Sequence, residues 1–303
     1  MKNNSLTIII PFLNEKNQVE LTLRSIAKAF SKRTKIILIN DGSDDGYNYF
    51  QIAKKYKCEY IVHNTRQGVA CSRMEGVEKC QTEYFLFLDA HMECWGKRWD
   101  KKLISIMKKN KKCCLCCRTV CITQKHQPMP TNCSIGATID LYNGLKAKWC
   151  LLDKNPLGEI SEIECILGAG YCMSKNYFLE LHGLTGLVGF GSDEEMLSIK
   201  IARTDGKCLI VKNWLIGHLY RTSTSGTNAV PPYHISRIST CYNKILLAEL
   251  FFEGEEKAKI LSGIEKWYGT TYNLGLKIID MNRAWIEQEK SEMEEIFQKA
   301  KEK

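Results

Sequence analysis

Through the first 122 residues, short apolar blocks alternate with stretches whose apolar positions recur every three or four residues. Ser5 to Phe12 is a β-branched block that predicts a strand, and Val19 to Phe30 carries Leu21, Leu23, Ile26, Ala27 and Phe30 at helical spacing. The same alternation predicts strands over Lys35 to Asn40, Glu59 to His63 and Tyr84 to Asp89. Helices are predicted over Tyr47 to Tyr56, Gly68 to Lys79 and Lys101 to Lys109. Apolar strands separated by helices indicate βαβ units and a mainly parallel sheet covered on both faces. Ligands bind such sheets beyond the carboxyl ends of the strands, so the residues after Phe12, Asn40 and Leu88 are the first to read for chemistry.

From Thr123 to Glu164 the pattern turns irregular and polar. Strand character resumes over Cys165 to Met173, and Ser174 is the expected N-cap of a short helix. Asp193 to Thr204 predicts a helix with acids in its first turn, where the helix dipole favours them. Lys207 to Lys212 and Trp214 to Tyr220 predict two strands. The segment from Arg221 to Tyr233 is rich in Thr, Ser, Gly and Pro and predicts a long loop; its part from Thr222 to Tyr233 is suited to closing over a ligand. Helical periodicity prevails from His234 onward. The expected organisation is one α/β domain over residues 1–235 and a helical extension over 236–303.

Composition adds boundaries. The 303 residues are 44% hydrophobic and 25% charged, which excludes a disordered, collagenous or coiled-coil chain. The opening apolar run is broken by Thr7 and Pro11 and falls well short of the ~20 residues of a membrane span. Fifteen cysteines, an odd number with no export signal, point to reduced thiols and a cytoplasmic setting, with the inner face of a membrane as the second placement. A net charge of +9 permits an anionic partner such as a nucleotide. No alternation of aromatic and basic residues suggests a nucleic acid partner.

Three segments carry candidate chemistry. Asn40-Asp41-Gly42-Ser43-Asp44-Asp45-Gly46 follows the second strand; these residues suit a turn, and Asp41 can also accept hydrogen bonds from a base NH or a ribose hydroxyl. Asp89 ends an apolar strand and His91 follows two residues later, so both side chains can point at one ion. A carboxylate with an imidazole suits Mn²⁺ or another borderline divalent metal better than Ca²⁺. His218, within Trp214 to Arg221, would complete a triad with Asp89 and His91 and leave positions for diphosphate oxygens. Arg221 has the guanidinium fork to contact that diphosphate.

In these segments the chain resembles GT-A-fold glycosyltransferases of the family-2 type, and within them the polypeptide N-acetylgalactosaminyltransferase branch. Phe87-Leu88-Asp89-Ala90-His91-Met92-Glu93-Cys94 is similar to that branch's aspartate–any–histidine metal motif. Gly217-His218-Leu219-Tyr220-Arg221 resembles its glycine–histidine motif, whose histidine is the third metal ligand. Ile9-Ile10-Pro11-Phe12-Leu13-Asn14-Glu15 resembles the first nucleotide-binding segment, and the Asp41 turn the acidic turn that meets uracil. Thr65 to Arg73 resembles the arginine–glycine segment near the base. Gly168-Ala169-Gly170 and Gly191-Ser192-Asp193-Glu194-Glu195 resemble acceptor-side segments. The resemblance runs over residues 5–250 in consistent order, with two departures: Asp193-Glu194-Glu195-Met196 replaces the Glu-Asp-any-Asp of inverting family-2 enzymes, and no tryptophan precedes the paired glycines near Gly189-Phe190-Gly191.

The resemblance implies a metal-dependent transferase that moves a sugar from a UDP-sugar such as UDP-GalNAc, UDP-Gal or UDP-Glc to a hydroxyl acceptor, in surface polysaccharide or glycoconjugate synthesis. It implies Mn²⁺ or Mg²⁺ on Asp89, His91 and His218, and nucleotide contacts from Pro11, Phe12, Glu15, Asp41, Arg66, Gly68, Arg73 and Arg221. Asp193 or Glu194 would take the acceptor proton if configuration inverts, or position the acceptor if it is retained. Two other readings are a catalytically idle nucleotide-sugar-binding module and a zinc module built on Cys113, Cys114, Cys116, Cys117 and Cys121. In the extension, Ile238, Cys241, Tyr242, Ile245 and Leu246 form a stripe for core packing. Met293, Ile296, Phe297 and Ala300 form another, suited to the core, to a homodimer or to peripheral contact with a membrane.

Overall fold

A computed structural model describes residues 6–130, 134–221 and 229–302. Strands β1 (Leu6–Phe12), β2 (Lys35–Asn40), β3 (Glu59–Val62) and β4 (Tyr84–Leu88) pair in the parallel order β3-β2-β1-β4. Beyond β4 the sheet continues through β10 (Gly170–Ser174), β6 (Cys113–Cys121), β11 (Lys207–His218) and β5 (Met92–Cys94), with β9 (Ile160–Ile163) also on β11. Because β10 is antiparallel to both β4 and β6, strands β1 to β4, β6 and β11 share one direction and bring their carboxyl ends to one edge. Every residue of β1 and of β4 is buried, as expected for strands covered on both faces.

Side-chain alternation divides the core in two. Ile8, Ile10, Leu86, Leu88, Cys113 and Cys117 pack under α1 (Asn17–Ala29), α2 (Tyr49–Tyr56) and α4 (Trp99–Lys109). Ile9, Phe85, Phe87, Cys114 and Cys116 pack under α3 (Val69–Lys79), α5 (Lys175–Glu180) and α6 (Asp193–Arg203). The thiols of β6 thus point to opposite faces of one strand and cannot converge on a single ion, which removes the zinc-module reading. All cysteines among the described residues are free, and the buried ones serve as small hydrophobes.

The second of these cores runs without interruption into α7 (Arg237–Phe251), α8 (Gly254–Tyr268), α9 (Thr271–Met281) and α10 (Arg283–Lys301). Met293 and Phe297 of the last stripe are buried in it and Ile296 packs against it, so that stripe is spent on the fold rather than left for a second copy or a membrane. Among the described residues no helix is long and apolar enough to cross a membrane.

Three local outcomes differ from the pattern. Ser174 precedes α5 in an extended conformation, but its hydroxyl makes no capping bond. The irregular segment after Thr123 contains a separate hairpin, β7 (Gly136–Asp140) against β8 (Lys146–Cys150). Lys207 to His218 is one strand, not two: the register on β6 shifts between Val211 and Leu215, so the intervening residues bulge. Of the loop expected to close over a ligand, residues 222–228 lie outside the described residues.

Candidate active site

The shared carboxyl edge frames a cavity of about 330 Å³. It is lined by Pro11, Phe12 and Glu15 after β1, Asp41 after β2, Asp89 and His91 after β4, and His218 and Arg221 at the end of β11. Arg66, Arg73, Asp193 and Glu194 line it from the helical side. Of the residues expected at the site, Gly68 alone is outside this lining. Its φ is +96° and an added Cβ would stand 2.8 Å from the Gly189 backbone, so Gly68 sets the close approach of two wall segments.

Asp89, His91 and His218 do converge. His218 Nε2 stands 3.3 Å from Asp89 Oδ2 and 3.2 Å from His91 Nε2. One ligand atom from each of the three lies within 4.8 Å of the others. The Nδ1 atoms of both histidines are buried without a hydrogen-bond partner, and His91 Nδ1 faces Glu15 Oε1 at 3.3 Å. Burial and the neighbouring His91 hold His218 below its usual range, so its ring is available as a neutral donor. Burial raises the Asp89 carboxyl, but His218, Arg73 and His91 outweigh it and hold it at about 2. One ionised carboxylate oxygen and two imidazole nitrogens on a cavity wall fit a borderline divalent cation with open positions toward the cavity.

Around this triad most charges are already paired. Glu15 is held down at about 2: burial raises it, while His91 and Arg221 lower it further. Arg221 grips it with both arms of its fork, donating from NH1 to Oε1 at 2.6 Å and from NH2 to Oε2. Arg221 thus has its fork paired with Glu15 at the cavity wall. Arg73 is buried and donates to Asp193 through NH1 and to Asp89 Oδ1 at 3.2 Å through NH2. It ties Asp89 to Asp193 across the cavity wall.

Asp41 is paired in the same way. Its carboxylate accepts from Gln67 N at 2.7 Å, from Gly68 N at 2.9 Å and pairs with His63 Nδ1 at 2.7 Å. It shapes the segment that carries Arg66, whose guanidinium lies over the Tyr233 ring and donates to His234 O at 2.8 Å. His63 also meets Glu75 at 2.7 Å, and although burial lowers its proton affinity the two carboxylates raise it overall. His63 carried no sequence signal beyond its place after β3.

The two acids at the start of α6 are unequal. Asp193 Oδ2 accepts from Arg73 and from the Tyr171 hydroxyl at 3.0 Å, which leaves that oxygen no freedom. Glu194 packs against Gly168, and burial, with Asp193 and Glu195 beside it, pushes its carboxyl well above the usual range. Glu195 turns away from the cavity to Lys244 at 2.8 Å and to Ala147 N at 2.6 Å. Trp149, Phe190 and Tyr233 add aromatic lining that the sequence pattern did not single out.

A mainly parallel sheet with a cavity at its carboxyl edge, covered by helices on both faces, is the architecture of the GT-A fold. Residues 7–150 match the model of the glycosyl transferase family 2. It is 24% identical over 234 residues to polypeptide N-acetylgalactosaminyltransferase 4 of Caenorhabditis elegans, covering 71% of this chain and 38% of that protein. It is 24% identical over 278 residues to N-acetylgalactosaminyltransferase 7 of Mus musculus, covering 82% of this chain and 40% of that protein. The chain thus spans less than half the length of these curated relatives. Among solved structures it superposes on GalNAc-T7 with UDP, GalNAc and Mn²⁺ at a TM-score of 0.69 and 18% identity, covering 92% of this chain and 57% of that one. It also superposes on S. aureus TarS 1-349 in complex with UDP-GlcNAc at 0.54 and 13% identity, covering 87% and 71%.

Proposed function

We propose that the chain is a divalent-metal-dependent glycosyltransferase that moves a sugar, N-acetylgalactosamine first among candidates, from its UDP conjugate to a hydroxyl acceptor. The observation that carries this is the convergence of Asp89, His91 and His218 in a cavity at the sheet's carboxyl edge. The match to glycosyl transferase family 2 and the similarity to N-acetylgalactosaminyltransferases support the donor class. When bound, Mn²⁺ or Mg²⁺ supplies charge stabilisation for the leaving diphosphate.

This chain's own residues do the rest. Asp89 stays ionised beside Arg73, and Glu15 restrains both His91 and Arg221, so the three ligands need little rearrangement to receive a cation. Pro11, Phe12 and Arg66 line the cavity on the base side, with Asp41 fixing the Arg66 segment from behind. Glu194, rather than Asp193, is the acid free to meet the acceptor hydroxyl. Burial, with Asp193 and Glu195 beside it, raises its proton affinity, which favours an acid that exchanges a proton over one that stays ionised.

The test is a panel of UDP-sugars assayed for Mn²⁺-dependent hydrolysis, in which water stands in for the acceptor. Release of UDP with metal, its loss with a chelator and its loss in Asp89→Ala and His218→Ala are expected. Turnover that survives the chelator, or full activity in either variant, overturns the proposal. Tight UDP binding without turnover of any donor would favour the idle binding module.

A further inference from the structure

The wall segment Val188–Gly191 has no regular structure of its own, yet it supplies Gly189 and Phe190 to the cavity and leads into Ser192 and Asp193 at the start of α6. Gly189 and Gly191 both have positive φ, and Ser192 follows with φ 74°. A segment so rich in left-handed residues needs external restraint to hold one shape.

That restraint comes from α7. Asn243 is completely buried, and among the described residues its side-chain hydrogen bonds all go to this segment. Its Oδ1 accepts from Val188 N at 2.9 Å, while Nδ2 donates to Val188 O at 2.9 Å, Gly191 O at 3.0 Å and Phe190 O at 3.3 Å. Two amide hydrogens serve three carbonyls, and no other residue of similar size offers two donors and an acceptor in one plane. The next residue, Lys244, holds Glu195 at 2.8 Å, and Glu195 in turn receives Ala147 N of β8. Adjacent residues of one helix thus grip both flanks of Asp193 and Glu194.

We infer that Asn243 is a positioning residue for the acceptor-side wall, and that α7 belongs to the catalytic unit rather than to a separable extension. The inference rests on the transferase reading for its kinetic consequence. Its structural half stands independently. Asn243 touches neither Asp89, His91 nor His218, so its loss acts on the acceptor side and spares the metal side.

The experiment uses the full chain with Asn243→Ala, and Asn243→Ser where the alanine variant does not fold. Ile279→Val, a change in a buried side chain of α9 with no hydrogen bond to the wall, serves as a control for general destabilisation. Chymotrypsin under native conditions is expected to cut after Phe190 about tenfold or more faster in the Asn243 variants than in the control. In UDP-sugar hydrolysis, kcat is expected to fall about tenfold or more with the donor KM nearly unchanged. Equal cleavage at Phe190 in variant and control overturns the clamp. Faster cleavage with an unchanged kcat overturns the positioning role, as does a loss carried wholly by KM. If the wild-type chain hydrolyses no donor, the transferase reading fails, and the cleavage comparison still decides whether Asn243 sets the wall.

Discussion

A single methyl group placed at Gly168 separates catalysis from stability. An added Cβ there would stand 1.8 Å from Glu194 Oε1, 2.5 Å from its Cδ and 2.8 Å from its Cγ. Restoring a contact of 3.0 Å means moving the carboxylate by more than an ångström, and all three clashing atoms belong to a flexible side chain, so the backbone has no reason to move. Gly168 does not occupy the left-handed region. Gly→Ala at such a position stabilises by about 0.4–1 kcal/mol through the unfolded chain. Misplacing a reacting group by about 1 Å costs on the order of a hundredfold in rate, or about 2.7 kcal/mol of barrier. Gly168→Ala should therefore melt at or slightly above the wild-type temperature while hydrolysing UDP-sugar about a hundredfold more slowly, with donor KM little changed. An unchanged kcat would refute Glu194 as the acceptor-side acid. A lowered melting temperature would refute the claim that only Glu194 yields.

Further outcomes follow from the pairs around the cavity. Arg73→Met leaves Asp89 and Asp193 without their shared cation, and loss of one partner of a buried pair costs about 3–5 kcal/mol; urea denaturation should show that loss, and an unchanged midpoint would contradict the bridging role. Asp89→Ala should abolish the upward melting shift that Mn²⁺ gives the wild-type chain, measured by thermal scanning without any donor. His63 has its pKa raised in the fold by Asp41 and Glu75, so its stabilisation is complete below the ordinary histidine value of about 6.5 and fades as pH rises through the raised folded value. The stability gap between wild type and His63→Ala should therefore be larger at pH 6 than at pH 9, and a gap that widened with pH would reverse the assignment. Among the described cysteines, a thiol reagent on the native chain should label the exposed Cys71 first, whereas Cys94, Cys116 and Cys208 are pushed up to about 12 by burial and should react only on unfolding.

The parts of this molecule that could be read from its sequence are those where one local rule dominates. β2 begins and ends where its apolar block does, and α3, β4 and α6 start or stop within two residues of the patterned stretch, because a strand buried on both faces admits almost no polar residue. Asp89 and His91 were legible because a charged residue ending such a strand must sit at the ligand edge. His218 was legible only in combination with them. The hairpin of β7 and β8 was missed, although Lys146-Ala147-Lys148-Trp149 alternates polar and apolar residues; its strands lie outside the main sheet and show no long apolar run. Asp41, Arg73 and Arg221 were placed correctly at the cavity, but their side chains are spent on His63, Asp193 and Glu15. Pairings between residues 22 to more than 200 positions apart leave no periodic trace in the chain. Asn243 gave no signal at all, since an amide inside a helical stripe looks like an imperfection in the pattern until the wall it holds is seen.

The bulge in β11 has a bearing on how this chain can change. Before it, Cys208 and Ile210 face one core; after it, Trp214 and Ile216 face the other, although all four are even-numbered. The inserted stretch works as a parity switch, and His218 lies on the far side of it, in register with Cys121. Deleting one residue from this stretch would turn the histidine's side of the strand over without altering Asp89, His91 or His218 itself, whereas removing two would keep its facing and only draw it back along the strand. Drift in the length of this stretch is therefore constrained in steps of two, and a homologue that differs there by an odd number must carry its counterpart of His218 at a neighbouring position.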